Sequence, residues 1–234
     1  MMELSSVIDD YMAKTTGLKK FCDRCLKSER WSGNVVLMVV DAAFDSIGLN
    51  YFNSIVPKVV EFEEAFVENG EVNNLKDLSQ LPHEQVKNIW ANKRSWSVAK
   101  SVASYLHESG RNGGLNDRKA LREWARNTSL EGWKQDPIGK IGGVGLTTYQ
   151  YLRMMGGVDT AMPDKIVKRV IEEILDKAEV KMPTNKDLEF IKTIDQIATI
   201  SGYRPIEICW MTWLVQSEGD KIRMEKYRDT LDRI

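Results

Sequence analysis

Apolar residues recur along most of the chain at the three- and four-residue spacing of amphipathic helices. The segment 34–47 is apolar on nearly all sides, and its length favours a buried helix over a strand. No convincing hairpin strands are predicted, so the pattern predicts an all-α protein. Helices are expected as two short ones within 4–30, then at 34–47, 57–70, 82–90, 95–110, 117–127, from 146, at 165–178, at 186–201 and from 205.

Glycine, proline and polar residues mark the expected helix ends. Pro57, Pro82 and Pro205 suit the first turn of a helix, where a missing N–H is tolerated. Gly110 is predicted to stop the helix before it, and Asn92-Lys93-Arg94 is interpreted as a polar break between two helices. The chain closes with a charged tail.

Composition narrows the class of protein. The 234 residues are 42% hydrophobic, which is enough for a substantial core. No run of eighteen apolar residues occurs and the amino terminus is acidic, so we expect a cytoplasmic protein without a membrane partner, nucleoid-associated if the source is prokaryotic. Cys22 and Cys25 form a lone CxxC without a second pair, and Cys209 stands apart. Buried or surface thiols are therefore favoured over a structural metal.

The net charge of −1 conceals an asymmetry along the chain. Seven acids face a single lysine over 61–84, whereas nine bases face three acids over 87–126. Such a distribution can present one basic face to a polyanion, although ordinary solvated charge explains any single residue equally well.

A glycine-rich hairpin, Ile141-Gly142-Gly143-Val144-Gly145, stands between two helical segments. Dinucleotide-binding glycine motifs follow a strand, so this placement argues against them. Asp136 and Pro137 suit the start of a short helix before the hairpin, and the next helix begins near Leu146. Free backbone N–H groups at such a helix start form a phosphate site that reads no base sequence, unless the glycines merely cap a connector. The expected donors are Gly143, Gly145, Leu146, Thr147 and Thr148.

The hairpin and the residues after it resemble the helix-hairpin-helix (HhH-GPD) DNA glycosylase superfamily. The family's hairpin matches 141–145, its glycine- and proline-rich loop matches 156–163, and its catalytic aspartate matches Asp164. Asp159 competes, because Val158-Asp159-Thr160 copies a family triplet. The family's Arg-Val pair follows Asp164 as Arg169-Val170, and nothing comparable follows Asp159.

The resemblance implies a two-lobed helical fold with the active site in the cleft between the lobes. One lobe would be a helical barrel at 34–135, and the other would combine 1–33 with 136–234. It also implies a monomeric base-excision enzyme that flips a damaged or mismatched base out of double-stranded DNA and hydrolyses its N-glycosidic bond. Asp164 at a helix start would stay ionised and stabilise positive charge on the sugar, unless it is only a helix cap.

Departures from the family pattern narrow the activity. Members that also cut the backbone carry a lysine where this chain has Thr147, so we expect no lyase step unless Lys140 or Lys165 substitutes. With only Cys209 near the carboxyl end, an iron-sulfur cluster is not expected. No cofactor is required, and by the resemblance a monovalent cation would bind the backbone carbonyls of Gly139, Ile141 and Val144.

The residues that would fill the gap left by a flipped base stay open. The candidates for this wedge are Ala43, Asn92, Lys93 and Arg94. Two other functions compete with the glycosylase: a non-catalytic DNA-binding module that keeps the hairpin, and a helical protein-interaction domain in which the glycines only cap helices.

Overall fold

The computed structural model describes residues 3–234, and the chain is all-α in its main elements. Most of the expected helices form within a few residues of the expected bounds. The α-helices are α1 (Leu4–Met12), α2 (Leu18–Leu26), α3 (Val35–Asp45), α4 (Val56–Phe62), α5 (Leu75–Gln80), α6 (His83–Val86), α7 (Lys93–Asn112), α8 (Asp117–Asn127), α9 (Leu146–Met155), α10 (Lys165–Lys177), α11 (Asp187–Ser201), α12 (Pro205–Leu214), α13 (Arg223–Lys226) and α14 (Arg228–Arg233).

The helix around Pro57 begins earlier than the sequence predicts. Helical backbone starts at Tyr51, with a π-helical segment Tyr51–Ile55 before α4 and another, Glu63–Val67, after it. The side chain of Asn50 accepts the amide of Asn53 at 2.9 Å and so caps the first segment. The wider π turn accommodates Pro57, because proline has no N–H to place in an α-helical ladder.

Helix α7 corrects two expectations. Asn92 is its N-cap, whose side chain accepts the amide of Ser95 at 3.1 Å, so Lys93 already lies in the helix rather than in a break. Gly110 does not stop α7, which continues to Asn112. A Cβ atom at Gly110 would lie 2.7 Å from the Cβ atom of Ala120, so the glycine permits the close approach of α8.

A small hairpin interrupts the charged tail, where no strand is predicted. Strand β1 (Ser217–Glu218) pairs antiparallel with β2 (Lys221–Ile222), and Gly219 adopts a φ of 69° in the turn between them. Two-residue strands are too short to show the alternation by which a sequence predicts a strand.

Helix α3 lies at the centre of one group of helices. Each residue from Val35 to Phe44 is buried, and α3 packs against α4, α5, α7, α8 and α9. A second group forms around α12, which packs against α1, α2, α10 and α11. Helix α9 contacts α2, α3 and α8 and therefore links the two groups within one hydrophobic core. Over residues 3–234, no helix is long and apolar enough to cross a membrane.

The three cysteines are buried free thiols. Burial raises the pKa of Cys25 to about 11 and that of Cys209 to about 12. These thiols are therefore protonated at neutral pH and pack as small apolar groups.

Candidate nucleic-acid interface and carboxylate site

A tight turn leads into the hairpin in place of the short helix expected at Asp136. The side chain of Asp136 accepts the amide of Ile138 at 2.9 Å and the indole N–H of Trp124 at 3.2 Å. Gly139 is held against the backbone of Trp133, since a Cβ atom there would lie 1.7 Å from the Trp133 carbonyl oxygen. This turn therefore fixes the backbone immediately before Ile141.

The hairpin leaves a set of backbone amides without intramolecular acceptors. Helix α9 starts at Leu146 as expected, and its N-cap, Gly145, has no side chain with which to cap it. Within the described part of the chain, no acceptor binds the N–H groups of six residues in this segment, which are Gly142, Gly143, Gly145, Leu146, Thr147 and Thr148. Five of them are the donors expected from the sequence, and Gly142 is an addition. Unpaired amides at a helix start suit an anion.

Arg94 lies beside this hairpin, although the two are far apart in sequence. Gly143 has a φ of 108°, and a Cβ atom on it would lie 2.7 Å from Val98 Cγ2 and 3.1 Å from Arg94 Nε. Arg94 is exposed and forms no ion pair with any described residue. Lys93 and Arg94 add positive charge to the amino-terminal end of α7, which is the positive end of the dipole of this 20-residue helix. No acidic residue in the first turn of α7 offsets this charge. This side of the hairpin is therefore electropositive.

Asp164 is the N-cap of α10. One carboxylate oxygen accepts the amide of Ile166 at 2.7 Å, and the side chain is partly buried. Its second oxygen has no hydrogen-bond partner among residues 3–234. Asp159 instead accepts the amide of Ile206 at 3.0 Å, at the start of α12. Asp159 thus caps the start of α12, whereas one carboxylate oxygen of Asp164 has no hydrogen-bond partner among the described residues.

Helix α12 packs behind Asp164. The thiol of Cys209 accepts the amide of Met162 at 3.4 Å, two residues before Asp164. Trp213, one turn after Cys209, packs edge-on against Tyr51 with ring centroids 6.1 Å apart. The same face of α12 therefore touches both the loop that carries Asp164 and the residues that follow α3.

Asp45, the last residue of α3, is a second partly buried carboxyl group in this region. Burial raises its pKa to about 8, and the charges of Asp41 and Asp164 act in the same direction. A carboxyl group with this pKa is mostly protonated at neutral pH. Within this part of α3 the sequence singled out only Ala43, as a wedge candidate, and it assigned no role to Asp45.

A buried polar network lies one turn before Asp45. The Oδ2 atom of Asp41 accepts hydrogen bonds from Trp31 Nε1 at 2.8 Å and from the hydroxyls of Tyr51 and Tyr151, each at 2.9 Å. Arg30 Nη2 donates to the same oxygen at 3.3 Å, and both charged side chains are fully buried. The sequence contains a signal for this network, because Asp41 is the single charged residue within the apolar run 35–44. Buried charges of this kind need a partner.

The backbone around Arg30 is strained. Ser28, Trp31 and Ser32 have φ values of 56°, 52° and 54°, in the left-handed region that side chains other than glycine rarely adopt. Three such residues within five positions cost free energy that the network of Asp41 must offset. The network joins the segment after α2 and the middle of α3 to Tyr151 on α9.

The remaining residues singled out from the sequence lie in different settings. Ala43 is fully buried inside α3, so it presents no surface to DNA and is removed from the wedge candidates. Asn92 is occupied as a helix cap, whereas Lys93 is exposed. Lys140 and Lys165 are both exposed.

The carbonyls expected to bind a cation are only partly occupied. The Ile141 carbonyl accepts the amide of Val144 at 3.0 Å. The carbonyls of Gly139 and Val144 accept no backbone hydrogen bond from a described residue. Two carbonyls with free lone pairs are compatible with a hard monovalent cation.

The clearest cavities lie away from Asp164. One cavity, of about 530 Å³, is lined by residues of α5, α6 and α7, including His83 and Lys100. Another, of about 520 Å³, lies between α7 and α8. Three smaller cavities have volumes of about 490, 360 and 190 Å³. None of these five cavities has Asp164, Asp45 or the hairpin in its wall.

Comparisons of the chain with protein-family models, with curated proteins and with solved structures give no match. Function is therefore inferred from the residues themselves.

Proposed function

We propose that the protein is a monofunctional DNA N-glycosylase that flips a damaged or mismatched base from duplex DNA and hydrolyses its N-glycosidic bond. The hairpin would bind the DNA backbone, and Asp164 would act at the sugar. Two observations together carry the proposal. Five backbone amides within 143–148 have no acceptor, and at the start of α10 one carboxylate oxygen of Asp164 has no hydrogen-bond partner.

The chemistry of Asp164 follows from the reaction. Breaking a glycosidic bond builds positive charge at C1′, and a carboxylate beside that carbon stabilises the charge and orients the attacking water. The positive end of the α10 dipole and the amide of Ile166 both face the Asp164 carboxylate. A carboxylate suits this role better than it suits proton donation.

The helix packing supports a two-lobed arrangement. The helices of 34–135 gather around α3, and those of 1–33 with most of those of 136–234 gather around α12. Helix α9, from the second set, contacts both groups. Asp164 belongs to the second group, and the electropositive start of α7 belongs to the first. DNA bound between the groups would touch both. A monovalent cation at Gly139, Ile141 and Val144 would add positive charge at the hairpin.

The proposed reaction ends with an abasic site rather than a cut strand. Thr147 has no amine, so it cannot form a Schiff base with the sugar. In the bifunctional alternative, Lys140 or Lys165 would supply the amine that forms the Schiff base. Borohydride would trap a covalent adduct between enzyme and DNA in that case, and it would trap none for the monofunctional enzyme.

A second candidate is a non-catalytic DNA-binding module. It is favoured because neither of the two cavities of more than 500 Å³ described above has Asp164 in its wall. A flipped base needs a pocket, and none of those cavities offers one beside the carboxylate. This candidate predicts salt-dependent duplex binding without base release. A helical protein-interaction domain would bind no DNA even at low salt.

The test is an assay on duplexes bearing uracil, hypoxanthine, mismatched thymine, 8-oxoguanine or 7-methylguanine. Treatment with alkali after incubation reveals abasic sites as strand breaks. We expect release of at least one base by the wild type, and loss of that release in Asp164→Asn. If no duplex yields abasic sites yet all are bound, the non-catalytic module is the better account.

A further inference from the structure

We propose that the cavity between α5, α6 and α7 is a second site for the phosphate backbone of DNA, where Lys93 and Lys100 hold the duplex beyond the part bound by the hairpin. This inference rests on the proposed function only in taking duplex DNA as the ligand. It deepens that function, because it assigns a second contact surface to the same partner.

The cavity has a volume of about 530 Å³, and one side of α7 forms much of its wall. The lining residues of this helix recur at the three- and four-residue spacing that places side chains on one face. The polar ones are Lys93, Ser97, Lys100, Ser101 and Ser104. Because Lys93, Ser97 and Ser101 are exposed, a ligand can reach this wall from solvent.

The two lysines of the wall have no counter-charge. Neither Lys93 nor Lys100 forms an ion pair with any residue of 3–234, and Lys100 is partly buried. Glu84 also lines the cavity, but its carboxylate is bonded to Lys87 at 2.6 Å. Both ammonium groups can therefore bind an anion without first giving up a partner.

Unused hydrogen-bonding groups lie in the same wall. The hydroxyls of Ser97 and Ser101 form no hydrogen bond with a described residue, unlike that of Ser104, which donates to Glu108 at 2.9 Å. The Nδ1 atom of His83 is buried and has no hydrogen-bond partner in the described chain. Lysine and serine are among the side chains that contact phosphate oxygens in protein–DNA complexes. The wall thus combines positive charge with free donors.

The first turn of α7 lies between this cavity and the hairpin. A Cβ atom on Gly143 would lie 3.1 Å from Arg94 Nε, whereas Lys93, the preceding residue, lines the cavity. Consecutive residues of a helix are separated by about 100° of rotation, so these two side chains leave one turn in different directions. The cavity is therefore within reach of a duplex held at the hairpin.

The basic wall suits a nucleic-acid strand better than a small free anion. Lys93 and Lys100 are seven residues apart, which is roughly 10 Å along the axis of α7. One strand of B-DNA carries about three phosphates over that length. DNA already bound at the hairpin also reaches the cavity at a high effective concentration, so contacts that are weak for a free anion still add to its affinity.

The experiment measures duplex binding by fluorescence anisotropy over a series of salt concentrations. It compares the wild type with Lys100→Gln and with the double variant Lys93→Gln/Lys100→Gln, on an undamaged duplex that undergoes no base release. Lys181→Gln is the matched control, because Lys181 is an exposed lysine outside the cavity wall and forms no ion pair with a described residue. Circular dichroism verifies that each variant is folded, and calorimetry measures binding of inorganic pyrophosphate.

We expect Lys100→Gln to reduce the slope of log K against log salt by about 0.9, and the double variant to reduce it by about 1.8, since each lost phosphate contact removes about 0.9. Duplex binding should weaken accordingly in both variants. Lys181→Gln should keep the wild-type slope, and pyrophosphate should bind far more weakly than the duplex.

Three results would overturn the proposal. One is a wild-type slope in the double variant, and another is an equal loss of slope in Lys181→Gln. The third is tight binding of pyrophosphate that the double variant abolishes while its slope for DNA is unchanged, because the cavity then binds a free anion. If the wild type still releases bases from lesion duplexes in these cases, the glycosylase account stands without the second site. A wild type that binds no duplex even at low salt removes both.

Discussion

Replacing Asp45 with asparagine should change how folding stability depends on pH, whatever the protein acts on. The pKa of Asp45 is about 8 in the folded chain, against an ordinary value of 3.8. A group with a raised folded pKa binds its proton more tightly when folded. Its stabilising contribution is complete below about pH 4, and it is lost as pH rises through about 8.

The size of this effect follows from the shift. Each pKa unit corresponds to about 1.4 kcal/mol, so the wild type should lose at most roughly 5 kcal/mol between pH 4 and pH 8 through this one group. Asparagine cannot ionise and loses none of it. The difference in unfolding free energy, Asp45→Asn minus wild type, should therefore rise steadily over this range. With about 2 to 4 °C per kcal/mol for a chain of this size, the shift in Tm is easily measured.

The assay is urea or thermal unfolding followed by circular dichroism at pH 5, 6, 7, 8 and 9. Taking the difference between variant and wild type cancels the titration of all other groups that do not contact Asp45. A difference in unfolding free energy that stays constant with pH, or that falls as pH rises, would refute the raised pKa of Asp45 in the folded chain. Asp176→Asn on α10 provides a comparison with an exposed acid on another helix.

Three further predictions concern the hairpin and the core. Gly143→Ala places a Cβ atom 2.7 Å from Val98 Cγ2 at a φ of 108°, so it should lower Tm by at least about 4 °C, from roughly 2 kcal/mol or more of strain and overlap. Gly142→Ala meets no atom within 4 Å, and an equal loss of Tm there would contradict this reasoning. Arg94→Gln should weaken duplex binding and reduce the slope of log K against log salt by about 0.9, whereas Arg111→Gln at the far end of α7 should leave the slope unchanged in a fluorescence-anisotropy titration. Asp41→Asn leaves a buried guanidinium without its counter-charge and should cost about 3 to 5 kcal/mol in urea unfolding, and a cost below 1 kcal/mol would show that the network contributes little.

The sequence predicts local features of this fold well. The start of α9 at Leu146, the cap at Asp164 and the helix from Pro205 follow from short-range rules for glycine, aspartate and proline. Each depends on residues within a few positions of one another, so periodicity and capping preferences suffice. The amides at 143–148 are a local feature too.

Features made by distant residues escape such reasoning. Arg94 reaches Gly143 across about fifty positions, and Asp45 is influenced by a carboxylate more than one hundred positions away. Gly110 resembles a helix stop because glycine serves both to end helices and to let them approach, and only the position of Ala120 distinguishes the two. Lone charges in apolar segments, as at Asp41, are the signal that would have pointed to the buried network.

The most direct test of the central claim is the rate of base release by wild type and Asp164→Asn on the lesion duplexes, measured alongside duplex binding. The glycosylase account predicts abasic sites with the wild type, at least a 100-fold slower release with Asp164→Asn, and similar binding by both, because the hairpin amides are untouched. Equal release by the two proteins, or tight binding with no release by either, would contradict it.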